Sequence, residues 1–359
     1  MTYETQCLSV ILIHRHGARM PNKYTSNGNI WPENAAFWEV NKSALTPTGT
    51  VQANNLGKYM KDRYPDIQKA KCITTNTNRT IMTAWSFYDG MLPNVPIYFT
   101  PATKKSNSIN IIVDIKADIV GHGIDNSKQH INNIISSPEI LSILDSAATK
   151  KLIGKIYKVT KIEGFRPNTT IKHRVRSLIS ILNDIKTYIS TSQTISDDLN
   201  VSLTDTELDI LDHIKNIFDV LKFTPYDGGN NDLAADIVRP LHLAVLDIFK
   251  TIINNDSGNN NIIFNSFSCH DTDLLAMAST MGIILDKGPD FMSYFLFELI
   301  IKDNQYMVAA YYNHNSLTPV DKPKHWHAST GYLDWSKLPV GYFTFPEFEN
   351  VLTARLSEN

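Results

Sequence analysis

A small set of side chains, far apart in the 359-residue sequence, has the chemistry to handle a phosphoryl group: Arg15, His16 and Arg19 in one cluster, Arg79 alone, and the pair His270-Asp271. A transferring phosphoryl group spreads negative charge over its equatorial oxygens. Guanidinium forks match that geometry and stay charged at any working pH. Arg15, Arg19 and Arg79 form the candidate clamp. A neutral imidazole attacks phosphorus competently, and a phosphohistidine splits one difficult displacement into two easier ones. His16, flanked by two of the arginines, is the candidate nucleophile. A departing alkoxide needs a proton, which a nearby carboxylic acid supplies before activating water in the return step. Asp271 is the candidate acid, and His270 is assigned one more hydrogen bond to the phosphate. A position at the start of a helix lowers the pKa of Asp271, whereas a bound phosphate dianion raises it; the second effect is expected to dominate in the complex.

These residues need elements that bring them together. Cys7-Leu-Ser-Val-Ile-Leu-Ile13 is the continuous apolar, β-branched run of a strand buried on both faces. It stops at His14-Arg-His-Gly-Ala-Arg-Met-Pro21, which must be a loop at the strand's carboxyl end, the edge where open α/β sheets bind ligands. Thr46 as N-cap with Pro47 behind it predicts a helix ending at Tyr64-Pro65. A short strand, Cys72–Thr75, then leads through Arg79 into a second helix from Ile81 to about Tyr88. Strand patterning returns at Ile262–Phe267 and delivers His270-Asp271 ahead of a helix over Leu274–Met281, while runs at Tyr294–Ile301 and Tyr306–Tyr312 suggest an antiparallel edge. Between Pro101 and Asn254 the periodicity is helical, as in Ile131–Leu144, Arg176–Ile189 and Leu208–Leu221. The expected architecture is α/β: a mixed-sheet, three-layer core from residues 1–100 and 255–359, with residues 101–254 inserted as a mainly helical cap and the site between them.

Arg15-His-Gly-Ala-Arg-Met-Pro21 matches the Arg-His-Gly-x-Arg-x-Pro signature of the histidine acid phosphatase family, and His270-Asp271 matches that family's His-Asp proton-donor motif. The run Thr75–Ala84 around Arg79 is similar to the segment bearing the family's third phosphate-binding arginine. Leu45-Thr-Pro-Thr-Gly49 and the Leu338–Leu352 region also resemble the family pattern. The resemblance covers both ends of the chain and leaves the insertion largely unmatched. It implies an α/β core with a helical cap, hydrolysis of small phosphate monoesters through a phosphohistidine, and no metal or other cofactor. An acid phosphatase is the first reading and a phytase or inositol-polyphosphate phosphatase of the same family the alternative. A homodimer is compatible with the resemblance. A catalytically silent phospholigand-binding protein is the alternative from another class; retention of both His16 and Asp271 speaks against it, because binding needs neither nucleophile nor acid.

Other chemistries fit less well. A His14-x-His16 metal pair, completed by Asp271 and His325-Trp-His327, would set Arg15 and Arg19 against the cation. A thiol phosphatase needs a shorter spacing than that from Cys72 to Arg79, and the phosphoglycerate mutases share the Arg-His-Gly core but not the second arginine and Pro21. A formal net charge of -2 offers no excess positive field for nucleic acid. No apolar run approaches the roughly 18 residues needed to span a bilayer. The N-terminus shows neither a basic start nor an apolar signal core before the first strand, so the chain is expected to be cytosolic or to have lost a signal. The family's relatives are mostly secreted, periplasmic or lysosomal and commonly carry several disulfides. Cys7, Cys72 and Cys269 cannot supply such a set and are expected to be buried free thiols.

Overall fold

A computed structural model describes residues 6–20, 43–67, 69–101, 111–115, 127–192, 203–223, 232–255, 262–283, 285, 288–313 and 342–356. In chain order the elements are β1 (Gln6–Arg15), α1 (Pro47–Arg63), β2 (Lys69–Thr74), α2 (Asn78–Met91), β3 (Ile97–Pro101), β4 (Ile111–Ile115), α3 (Ser127–Ile135), α4 (Pro138–Asp145), α5 (Ala147–Thr160), α6 (Ile171–Ser192), α7 (Asp205–Phe223), α8 (Leu233–Asn254), β5 (Ile263–Cys269), α9 (Asp271–Thr280), β6 (Tyr294–Lys302), β7 (Gln305–Asn313), β8 (Tyr342–Thr344) and α10 (Phe345–Thr353). The strands form one sheet in the order β3-β4-β2-β5-β1-β6-β7-β8. From β3 to β1 neighbours run parallel; β6 and β7 extend the sheet antiparallel, as expected, and β8, which the sequence reading did not include, pairs antiparallel with β7.

The alternation of side chains along a strand explains why β1 is apolar throughout. Ile11 and Ile13 point into a core shared with α8, α9 and α10, and Val10 and Leu12 into a second core under α1 and α2. The sheet is thus the middle of three layers. Thr46 caps α1 as expected, accepting a 3.0 Å hydrogen bond from the Gly49 amide with Pro47 in the first turn, and Tyr64 closes the helix before Pro65.

The expected insertion is cut differently in the structure. Strand β4 pairs in register with β2 and β3, and α8 packs Val238, Leu241, Val245 and Phe249 into the core that holds β1 and β5. Both fall inside 101–254 but belong to the sheet layers; helical periodicity alone could not say what α8 would pack against. Helices α3 to α7 have their own core, including Ile140, Leu152, Ile156, Phe165, Leu178, Leu182, Leu211 and Ile214. The stretch Ile131–Leu144, expected as one helix, is two, because Ser137 caps a new helix and Pro138 cannot continue the old one. Arg355 ties the cap to the core: its guanidinium pairs with Asp232 and donates to the Ser279 carbonyl at 2.7 Å and the Phe223 carbonyl at 3.5 Å. All three cysteines are free; Cys72 and Cys269 are buried and Cys7 is half-buried. Among the described residues no helix is long and apolar enough to cross a membrane.

The loop after β1 lies directly on the start of α1. A Cβ on Gly49 would sit 2.1 Å from the Ala18 carbonyl oxygen, and one on Gly17 2.5 Å from the Gly49 carbonyl oxygen. Gly49→Ala should therefore lower stability by about 1–3 kcal/mol through overpacking. Gly154→Ala on α5, where a Cβ meets nothing within 4 Å, should be neutral or stabilising. Thermal unfolding of the two variants checks this, and an unchanged Tm for Gly49→Ala would show that the loop can yield.

Candidate active site

Strand register brings the separated motifs together. Arg15 on β1 is level with Cys269 on β5, and Thr74 on β2 with Ser268, so His16, His270 and Thr75 emerge side by side at the carboxyl edge. The His16 amide donates to the Cys269 carbonyl at 3.0 Å, and its carbonyl accepts from the Met292 amide at 3.3 Å. Beyond His16 the chain is held by side chains of the covering helices. Thr83 Oγ1 on α2 accepts from the Gly17 amide (3.1 Å) and Gln52 Oε1 on α1 accepts from the Ala18 amide (2.9 Å), while the Ala18 carbonyl takes the Thr46 amide and hydroxyl, both at 2.9 Å. A loop so fully satisfied presents its side chains rigidly.

His16 Nδ1 lies 2.8 Å from the Gly17 carbonyl. A carbonyl only accepts, so Nδ1 carries the proton and Nε2 keeps its lone pair. The residue is 2% exposed. Burial first, and then the charges of Arg15, Arg19 and Arg79, hold its pKa well below the ordinary imidazole value, so the ring is neutral and nucleophilic. Its ring centroid is 5.6 Å from that of His270 and 5.9 Å from that of Phe291.

The arginines converge. Arg15 donates from Nη1 to the Pro289 carbonyl (2.6 Å), pairs with Asp271 at 3.2 Å and stacks over Phe291, its Cζ 4.4 Å from the ring centre. Arg19 donates to the Met20 carbonyl at 2.8 Å; burial, then Arg15 and Arg79, push its pKa down to about 10. Burial lowers that of Arg79 as well, with Arg15 adding to it and Asp271 opposing. In all three guanidinium groups Nε is buried without a hydrogen-bond partner. Like charges and donors without partners gathered in one place, with the Asp271 carboxylate paired to Arg15, are features that an added anion would satisfy.

His270 has a role not foreseen from the sequence. Its Nδ1 accepts from Arg79 Nη2 at 3.3 Å, and Nε2 donates to Thr75 Oγ1 at 3.0 Å, so in this state it orients the arginine. Burial and then Arg79 lower its pKa to about 4. Donation to a phosphate, as expected from the sequence, requires a second proton on the ring, which a bound dianion favours. Asp271 retains 29% side-chain exposure at the pocket and accepts from the Thr272 amide at 3.0 Å. Burial would raise its pKa, but the charges of Arg15, Lys215 on α7 and Arg19 outweigh it and hold the carboxyl well below the usual range. Asp273, 1% exposed, accepts the His270 amide at 2.8 Å in a capping box, while its other oxygen has no partner. Burial, then Asp271, raises its pKa to about 7.

The remaining expectations divide. The buried His14 ring stacks on Phe87 at 5.6 Å with Nδ1 3.2 Å from the Arg15 carbonyl, so it faces different neighbours from His16. Pro21, His325 and His327 lie outside the described residues. Thr75, Gln52, Thr83, Phe291 and Lys215 went unread as site residues. Thr75 and Thr83 lay within a quoted motif run, but nothing in the local pattern marks the others.

Residues 8–133 match the family model described as the histidine phosphatase superfamily (branch 2). That span holds Arg15, His16, Arg19 and Arg79 but not His270-Asp271. No curated protein matches the chain. Among solved structures it is similar to the apo form of a Hafnia alvei phytase, at 15% identity with a TM-score of 0.64 over 98% of this chain and 97% of that one. A Citrobacter braakii phytase gives 15% and 0.63 over 98% of each chain. A Bifidobacterium longum multiple inositol polyphosphate phosphatase, solved with inositol hexasulfate, gives 12% and 0.61 over 98% and 92%. These likenesses carry the fold.

Asp273 yields a stability test. Folding raises its pKa from an ordinary carboxyl value of about 3.9 to about 7, so the folded state binds the extra proton between those values. Its contribution is full below about pH 4 and is lost as pH rises through about 7. Asp273→Asn keeps a cap acceptor and removes this loss. Its stability relative to the wild type should therefore improve by up to about 1.4 kcal/mol per pH unit over that window. Urea unfolding at several pH values measures the difference, and a flat line would mean that Asp273 is ionised in the fold.

Proposed function

We infer that this member of the histidine phosphatase superfamily (branch 2) hydrolyses phosphate monoesters in two steps through a phosphorylated His16. The observation that carries the reading is the convergence of Arg15, Arg19 and Arg79, each with an orphaned buried Nε, on a neutral imidazole whose free nitrogen is Nε2. The ester phosphate enters among the guanidinium groups, which match its equatorial oxygens and meet the charge that develops there. His16 Nε2 then attacks phosphorus in line with the leaving oxygen. The Nδ1–H bond to the Gly17 carbonyl keeps the tautomer and disperses the positive charge gained by the ring.

Asp271 supplies the proton to the leaving group. In the free site it is ionised against Arg15, so it must gain its proton with the substrate. A monoester below its second pKa, about 6, arrives with one proton. Passing that proton to Asp271 leaves a dianion for the arginines to bind and a neutral acid beside the ester oxygen. In the return step the same carboxylate takes a proton from water as it attacks the phosphohistidine.

A polyphosphorylated inositol is the second substrate reading. It is favoured by the whole-length likeness to a phytase and an inositol polyphosphate phosphatase, and by Lys222, whose charge on α7 reaches Asp271; Lys215 reaches it too but is already paired with Asp219. The lysine-rich stretch of α5 adds less, because Lys150 pairs with Asp145 and Lys155 with Glu207. Initial rates on inositol hexakisphosphate and p-nitrophenyl phosphate, taken side by side, distinguish the readings.

His16→Ala should abolish turnover and the acid-labile phosphoenzyme, whereas Arg79→Ala should slow catalysis by roughly two to three orders of magnitude through loss of one transition-state donor. Near-normal activity in His16→Ala would sink the mechanism. For Asp271→Asn, single-turnover phosphorylation should fall about 10²–10⁴-fold with alkyl phosphates and less with p-nitrophenyl phosphate. Equal losses for good and poor leaving groups would make Asp271 a binding residue and not the acid.

A further inference from the structure

Besides its ion pair with Asp271, Arg15 is held by three contacts from one short segment, 288–293, between α9 and β6. The Pro289 carbonyl takes Arg15 Nη1 at 2.6 Å, the Phe291 ring lies under its guanidinium at 4.4 Å, and the Ser293 carbonyl takes its backbone amide at 2.9 Å. The same segment reaches the nucleophile, since the Met292 amide donates to the His16 carbonyl at 3.3 Å and Phe291 faces the imidazole at 5.9 Å. Met292 is fully buried with φ at +60°, the left-handed region that an unbranched but bulky side chain enters only when its surroundings impose it. Ser293 closes a tight turn, its amide and hydroxyl both donating to the Asp290 carbonyl, at 3.1 and 2.7 Å.

The other end of the segment is fastened to the cap. Asn216 Oδ1, on α7, accepts the Gly288 amide at 3.1 Å. A Cβ on Gly288 would come within 3.2 Å of Lys215 Nζ, so the glycine leaves room for the largely buried Lys215–Asp219 pair to lie against the segment. From α7 an unbroken series of contacts thus runs through Gly288, Pro289 and Phe291 to the guanidinium and imidazole of the phosphate site.

We propose that segment 288–293 is a brace through which cap helix α7 positions Arg15 and His16, and that Asn216 and Phe291 are positioning residues for phosphate binding. The inference rests on the reading of Arg15 and His16 as phosphate-handling residues and adds to it a route from the cap. A guanidinium held over an aromatic face and by the Pro289 carbonyl keeps its unpartnered Nε in a fixed place for an anion, and a brace fixed only at β6 would leave that face free to shift.

The test measures the Kd of inorganic phosphate by calorimetry, with kcat and KM on p-nitrophenyl phosphate, for wild type, Asn216→Ala, Phe291→Leu, the double variant and Phe291→Tyr. Thermal unfolding verifies that each is folded. Phe291→Leu should raise the Kd roughly 2- to 30-fold, the span that a cation–π contact commands, and Phe291→Tyr should restore it. Asn216→Ala should raise it in the same direction, and the double variant should lose less than the product of the single effects, because both act through one segment. If Phe291→Leu does not fold, Asn216→Ala, on the half-buried face of α7, decides alone. An unchanged Kd in folded Asn216→Ala, or strictly multiplicative losses, would overturn the brace while leaving the phosphatase reading intact. A wild type that binds no phosphate would overturn the phosphatase reading and the brace with it.

Discussion

Everything in this site depends on keeping three guanidinium groups together at one strand edge around His16. Arg15, Arg19 and Arg79 each depress the proton affinity of a neighbour, and in a low-dielectric setting their mutual repulsion must be borne by the framework. The framework bears it through partners that are fixed in place: the Pro289 and Met20 carbonyls, the Phe291 ring, His270 and Asp271. On the proposed mechanism, the positive charge that would draw in a phosphate dianion also helps burial to keep His16 unprotonated. Clamp and nucleophile would then be a single electrostatic device.

A device of that kind needs a rigid mount, and the mount is backbone. Residues 16–18 have their amides and the Ala18 carbonyl taken up by β5, α1 and α2, and Gly17 and Gly49 touch with no room for a methyl group. Helix α9 starts within the same assembly, with Asp273 capping it and Asp271 in its first turn. Two carboxyl groups close in sequence thus have opposite environments. Asp271 faces cations and is ionised, whereas Asp273 is sealed under the helix start and holds its proton to about pH 7. The difference is one of burial and partners, since the residue type is the same.

The cap enters this chemistry from the far side. It has its own apolar core and is joined to the sheet layers by Arg355 and by the contact of Asn216 with Gly288. Its helix α7 brings Lys215 and Lys222 within electrostatic reach of Asp271.

Much of this was legible in the sequence because it is local. A strand buried on both faces must be apolar throughout, so β1 announced itself, as did the loop that ended it; Thr46-Pro47 and Ser137-Pro138 carry the same helix-start chemistry, though only the first was read. The phosphate kit was legible because its members occur in short motifs at strand ends. The tertiary structure alone decided which helix covers which face, so α8 moved from the expected cap into the core and β4 joined the sheet. It also decided which nitrogen of His16 is free, that His270 holds Arg79, and that Phe291 lies beneath Arg15. Those facts rest on contacts between residues far apart in sequence, and an aromatic ring or an amide that acts only through such a contact leaves no local pattern by which to recognise it.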